Sequence, residues 1–135
     1  MAPVPCPFLS LLLFCHVPDL SANHPLPPCP DTPNCERRSR ALAVDPGVLF
    51  GAVQSTLAAM GPIKMNVQPA TRSVHAVFRV ALFFKDDVDV IVVPHGATGE
   101  KSVLHIRSAS RVGRHDLGVN RRRVDRFFRR LEKRL

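Results

Sequence analysis

Tryptophan and tyrosine are absent from the chain, and eight phenylalanines are its only large aromatic side chains. Two of them, Phe127 and Phe128, fall on an apolar helical stripe, so no aromatic platform is left on which single-stranded nucleic acid would stack. Cysteine is absent after Cys35. The short signatures HExxH, GxSxG and GxxxxGK[ST] are all missing, and no cysteine has a plausible histidine base nearby, so no motif marks an enzyme, a metal site or a cofactor. The run Phe8-Leu9-Ser10-Leu11-Leu12-Leu13-Phe14 has the length of a signal-peptide apolar region and is far too short to span a bilayer as a helix. Glycine is scarce, at seven residues against thirteen prolines, and nine of those prolines precede Val44. The first third of the chain is therefore a different material from the rest.

What is present begins with length and charge. The 135 residues suffice for one domain with its own core. The formal net charge of +8 is unevenly placed: residues 1–60 hold three basic and four acidic side chains, and residues 61–135 hold sixteen and seven. Such a field draws in phosphate, sulfate, acidic saccharide, nucleic acid or anionic lipid, and names only that class of partner.

Residues 1–22 read as a signal peptide or lipoprotein leader. No lysine or arginine precedes the apolar run, and Leu12-Leu13-Phe14-Cys15 resembles a lipoprotein box with Phe14 where a small residue is usual. Pro25, Pro27, Pro28, Pro30 and Pro33 then make residues 23–44 an extended, proline-rich tether containing Cys29 and Cys35. In an oxidising compartment these two form a small disulfide ring, whereas in the cytosol they stay free thiols; zinc would need two further ligands. With the leader genuine, the protein is expected outside the cytoplasm, periplasmic or lipid-anchored, and in contact with membrane only through that leader.

Asp45 and Pro46 suit the start of a helix, and Gly61-Pro62 its end. Leu49, Val53, Leu57 and Met60 form its apolar stripe, with Val48 and Ala52 beside it. Four segments then alternate apolar and polar residues: Ile63 to Val67, Val74 to Leu82, Val88 to Val92 and Val103 to Ser108. Val124, Phe127, Phe128, Leu131 and Leu135 return to helical spacing. Residues 45–135 are thus expected to form a single α+β domain, a two-layer, four-stranded antiparallel sheet covered on one face by an N-terminal and a C-terminal helix. His75, Arg79, Asp87, Asp89, His105 and Arg107 would gather on the outward face, where alternating charge ordinarily marks a solvated surface.

Between the last strand and the last helix lies Arg107-Ser108-Ala109-Ser110-Arg111-Val112-Gly113-Arg114-His115-Asp116-Leu117-Gly118-Val119-Asn120-Arg121-Arg122-Arg123-Val124, with six arginines. Asn120 is placed to cap the helix and Val119 to pack on Val124. Three arginines in a first helical turn cost about 0.3–1 kcal/mol each where exposed, so negative charge belongs beside them. Two sources compete. A bound anion such as phosphate, sulfate or an acidic saccharide would be held by Ser108, Ser110, Arg111, Arg114, Arg121 and Arg122. Alternatively, Asp86, Asp87 and Asp116 pair with arginines including Arg107 and Arg123 in a structural network that pins the helix to the sheet. A third reading gives the eight basic side chains from Arg121 to Arg134 to nucleic acid or an anionic membrane surface. The missing aromatic platform disfavours nucleic acid, and the sheet's need for cover disfavours lipid.

Three stretches together, Cys29-Pro30-Asp31-Thr32-Pro33-Asn34-Cys35, Phe83-Phe84-Lys85-Asp86-Asp87-Val88 and Arg107 to Arg123, resemble the domain-of-unknown-function family numbered 1499 across about residues 27–135. The resemblance implies an exported bacterial protein, often a lipoprotein, with relatives targeted to plastids and no established activity. Glu36-Arg37-Arg38 departs from the small apolar and serine residues usual after the second cysteine. The expected function is accordingly an extracytoplasmic binding or envelope-associated structural module.

Overall fold

A computed structural model describes residues 24–135, and the stretch expected to be a leader, with Cys6 and Cys15, lies outside them. The elements run β1 (Cys35–Leu42), α1 (Pro46–Ala59), β2 (Lys64–Gln68), β3 (Ser73–Val80), β4 (Phe84–His95), β5 (Lys101–Ser110) and α2 (Val119–Glu132). The Asp45 side chain accepts the N–H groups of Gly47 and Val48 at 3.0 and 3.3 Å, and Pro46 occupies the first helical position, where its missing donor costs nothing. Leu49, Phe50, Val53 and Leu57 face inward. Val48, expected beside that stripe, points to water, and Phe50 takes its place.

The sheet has five antiparallel strands in the order β1-β5-β4-β3-β2, which corrects the expected four. The fifth, β1, lies within the segment read as tether and pairs with β5 over eight positions. Its sequence, CERRSRAL, has no apolar alternation because charged side chains cover the core edge instead. Arg38 pairs with Asp125 of α2 at 2.6 Å and Arg40 with Glu132 at 2.6 Å, while the Arg40 guanidinium lies 4.0 Å from the Phe128 ring centroid. Such side chains cover apolar surface with their stems and keep a sheet edge from pairing with other chains.

Both helices pack on one face. Val74, Ala76, Phe78, Val88, Val90, Val92, Leu104 and Ile106 meet Leu49, Val53 and Leu57 of α1 and Val124, Phe127 and Leu131 of α2 in one buried cluster. Each such side chain contributes about 1.5–3 kcal/mol by leaving water. The apolar stripe of α2 is consumed by this core, which overturns the reading in which that stripe meets lipid. Because every neighbouring pair is antiparallel, β1 and β2 run parallel at opposite edges, and α1 crosses the sheet to join them.

The second face is partly roofed by residues 24–34. Cys29 and Cys35 are joined by a disulfide, the His24 ring meets that of His105 at 4.5 Å, and Arg37 donates to the Leu26 carbonyl at 3.0 Å. His105 is thereby only 6% exposed. Leu82, expected at a strand end, lies instead in the exposed turn between β3 and β4.

Candidate functional site

At the end of β5 the backbone is held from two sides. Ser110 N–H donates to the Asn34 carbonyl at 3.0 Å, and Arg111 N–H to the Lys85 carbonyl at 3.1 Å. Chain 111–118 then loops outward and returns through Leu117 and Gly118, at φ 55° and 75°. The return carries Asp116 beneath the start of α2. Its carboxylate accepts the N–H groups of Gly118 and Asn120 at 2.8 and 2.9 Å and the Asn120 side-chain amide at 2.7 Å. Asp116 therefore supplies the capping acceptor expected from Asn120, and no arginine lies within ion-pair distance of it among the described residues. Burial pushes its carboxyl up, but the bonds from Asn120 and Gly118 outweigh that and hold it below the usual carboxylate range.

Asn120 has moved inward instead and is fully buried. Its amide nitrogen reaches Ser110 Oγ at 2.9 Å and the Asn34 carbonyl at 3.1 Å, and its oxygen accepts from Ser108 Oγ at 2.6 Å and Arg123 at 2.9 Å. Arg123 also donates to Ser108 Oγ at 3.1 Å. The same guanidinium lies 2.8 Å from Asp86 Oδ2, with the pair only 5% and 2% exposed, although the contact lacks the alignment of a hydrogen bond. This buried knot ties β1's approach, β4 and β5 to the first turn of α2.

The six residues grouped as an anion site do not share one surface. Ser108 is sealed in the knot, and Ser110 is engaged with Asn120. Arg111 forks onto Asp87 with two bonds of 2.9 Å, and Arg122 donates to the Leu117 carbonyl at 2.7 Å. Arg114 and Arg121 are exposed and make no ion pair among the described residues. Of the five grouped as a network, Asp86–Arg123 and Asp87 with Arg111 are ion pairs. Arg107 lies across from Asp89 in the ladder, and among the described residues it has no ion-pair partner and its buried Nε no acceptor.

On the second face, His75 Nδ1 is 2.8 Å from Asp89 and its Nε2 is 3.3 Å from Asp87. The Arg111 fork, aided by the nearby charges of His75 and Arg107, holds the Asp87 carboxyl below its ordinary value against the effect of burial. Arg79 stands apart, opposite Lys85 at the strand end. No group of three or more metal-ligating side chains is found among the described residues.

Where the outward loop faces the β3–β4 turn, it encloses a cavity of about 350 Å³. Val80, Phe84, Val112, Leu117 and Val119 make it largely apolar, and Lys85, Asp86, Ser110, His115 and Asp116 add polar groups. A second depression along α2 is lined by that helix's own Arg126, Arg129, Arg130 and Glu132 and by Lys133 just after it, and so has no opposing wall. Sequence reasoning named the basic residues of the loop but missed Phe84, Lys85, Val112, His115 and Leu117. The available signal was a pair of apolar residues, Val112 and Leu117, placed between loop residues where no strand or helix needs them.

No curated protein sequence matches the chain. Among solved structures, the crystal structure of TTHA0849 from Thermus thermophilus is similar, at 11% identity and a TM-score of 0.39, with 74% of this chain and 95% of that chain covered. The sequence pattern of the family described as "Protein of unknown function (DUF1499)" matches residues 25–131, and the chain belongs to that family.

Proposed function

We propose that the protein is an extracytoplasmic binding module whose ligand, a small molecule with an apolar body and an acidic group, occupies the cavity between the β3–β4 turn and residues 111–119. The observation that carries this reading is the cavity itself. It is of ligand size, apolar on most of its wall and polar at a few points, which is the composition of small-molecule sites in general. Its acids are committed elsewhere, Asp86 to Arg123 and Asp116 to the start of α2, whereas Lys85 makes no ion pair among the described residues. An incoming carboxylate, phosphate or sulfate would therefore meet Lys85 and His115 rather than an unbalanced carboxylate. The apolar leader run and the Cys29–Cys35 disulfide support a place outside the cytoplasm.

The buried Asp86–Arg123 pair favours a structural role for the inner part of the arginine stretch. The two readings divide the stretch between them: residues 108, 120 and 123 hold α2, and the outer loop holds the ligand.

The test is thermal melting of the full chain against phosphates, sulfates, sugar acids and longer-chain carboxylic acids. A native-state ligand at one hundred times its Kd stabilises by about 2.7 kcal/mol. A saturable rise in Tm that Lys85→Ala weakens about tenfold, as expected for loss of one charge-assisted bond, supports the reading. No rise with any of these compounds sinks it.

A further inference from the structure

Five of the nine exposed large apolar side chains among the described residues lie at one end of the sheet. Leu82 and Phe83, 79% and 86% exposed, form the turn between β3 and β4, and Leu117, 89% exposed, stands on the facing loop. Phe84 and Val112 continue the patch into the cavity between them. Ala81 and Leu117 adopt φ of 54° and 55°, a conformation that favours glycine. Both turns thus hold large apolar side chains out in water, where each forgoes the stabilisation that burial would give.

The charges around this patch are sorted. Within residues 79–87 and 111–122, each carboxylate is already engaged by the chain itself: Asp86 by Arg123, Asp87 by Arg111 and Asp116 by the N–H groups of α2. Arg79, Lys85, Arg114, Arg121 and Arg122 are left without an ion pair among the described residues. An apolar tip with a collar of unpaired cations is complementary to an anionic bilayer, in which apolar side chains reach the acyl boundary and the cations meet phosphates.

We propose that this end of the sheet docks on an anionic lipid bilayer, inserting Leu82, Phe83 and Leu117 to the level of its cationic collar. The surface is distinct from the apolar stripe of α2, which is buried in the core. It does not depend on a ligand in the cavity, and the Lys85→Ala melting series reads that question separately.

Because the chain contains no tryptophan, Phe83→Trp places a single fluorophore at the tip. The full chain carrying it is mixed with vesicles of phosphatidylcholine alone or of equal parts phosphatidylcholine and phosphatidylglycerol. On the mixed vesicles, emission shifts to the blue and is quenched by lipids brominated along the acyl chain, while phosphatidylcholine alone leaves it unchanged. Arg114→Glu with Arg121→Glu weakens this response about tenfold, as expected from reversing two charges near the surface. Leu82→Ser abolishes most of the remaining shift without lowering Tm. Emission unaffected by mixed vesicles overturns the proposal however well the chain sediments with them, since the apolar leader alone would explain sedimentation. An equal response to phosphatidylcholine alone also overturns it. So does a blue shift without lipid that grows with protein concentration, which would assign the patch to a second copy of the chain.

Discussion

Among the described residues Asp86 is balanced by Arg123 alone, whereas its neighbour Asp87 faces the opposite side of the sheet and meets Arg111 close to water. Removing one member of a buried pair leaves an uncompensated charge, so Asp86→Asn is expected to cost about 3–5 kcal/mol. Asp87→Asn breaks a pair in which Arg111 is half-exposed, and is expected to cost about 1 kcal/mol or less. Urea unfolding of the two variants checks the difference; equal losses would contradict it. His105 gives a second expectation. Burial, then the charges of His24 and Arg37, lower its pKa from 6.5 to about 4. The unfolded chain takes up a proton as pH falls through 6.5, and the folded one only near 4, so stability declines across that window. At about 1.4 kcal/mol per pH unit the decline amounts to about 3 kcal/mol, and His105→Asn should flatten it in pH-dependent denaturation. Asp87 acts in the same sense at lower pH: its contribution is present above the ordinary carboxylate value and is lost as pH falls through its depressed one. Legibility at this scale was uneven. An arginine stretch with nearby acids is visible in sequence, but the exchange of roles between Asp116 and Asn120 depends on a left-handed return at Leu117, a residue type that gives no warning of it.

Among the elements, β2 to β5 announce themselves because each has one face on the core, and so alternates. Both helices do so through their stripes and, in α1, through Asp45 and Pro46. β1 is silent because three of its four core-side positions are Glu36, Arg38 and Arg40, held by ion pairs with α2 or with each other and by contact with Phe128, and only Leu42 at its end is apolar. An edge strand secured by charge leaves no hydrophobic period to read. Its eight paired positions also explain what the disulfide does. Cys29–Cys35 closes a short ring before the strand, and the entropy of that ring is worth about 2 kcal/mol on the chain-entropy account. Cys29→Ser with Cys35→Ser should lower Tm accordingly yet leave the far-ultraviolet circular dichroism of the sheet intact. Loss of that signal would place β1 under the control of the disulfide rather than of its ladder.

For the whole molecule, the charge asymmetry was legible from composition, and its arrangement was not. The basic half of the sequence spends many of its charges on internal contacts, with Arg123 buried, Arg111 forked and Arg130 donating to the Ala59 carbonyl. The cavity and the apolar tip arise where two loops from distant parts of the chain meet, a coincidence that local periodicity does not encode. The sheet order has a further consequence for biogenesis. Ser39 and His105, neighbours across the β1–β5 ladder, are 66 positions apart. Closing that long loop is slow compared with zipping the meander that follows α1. The strand that leaves the ribosome first thus waits for the last strand before it has a partner. Until then no finished sheet exists, and β1, however early it is made, stays without its eight-position ladder.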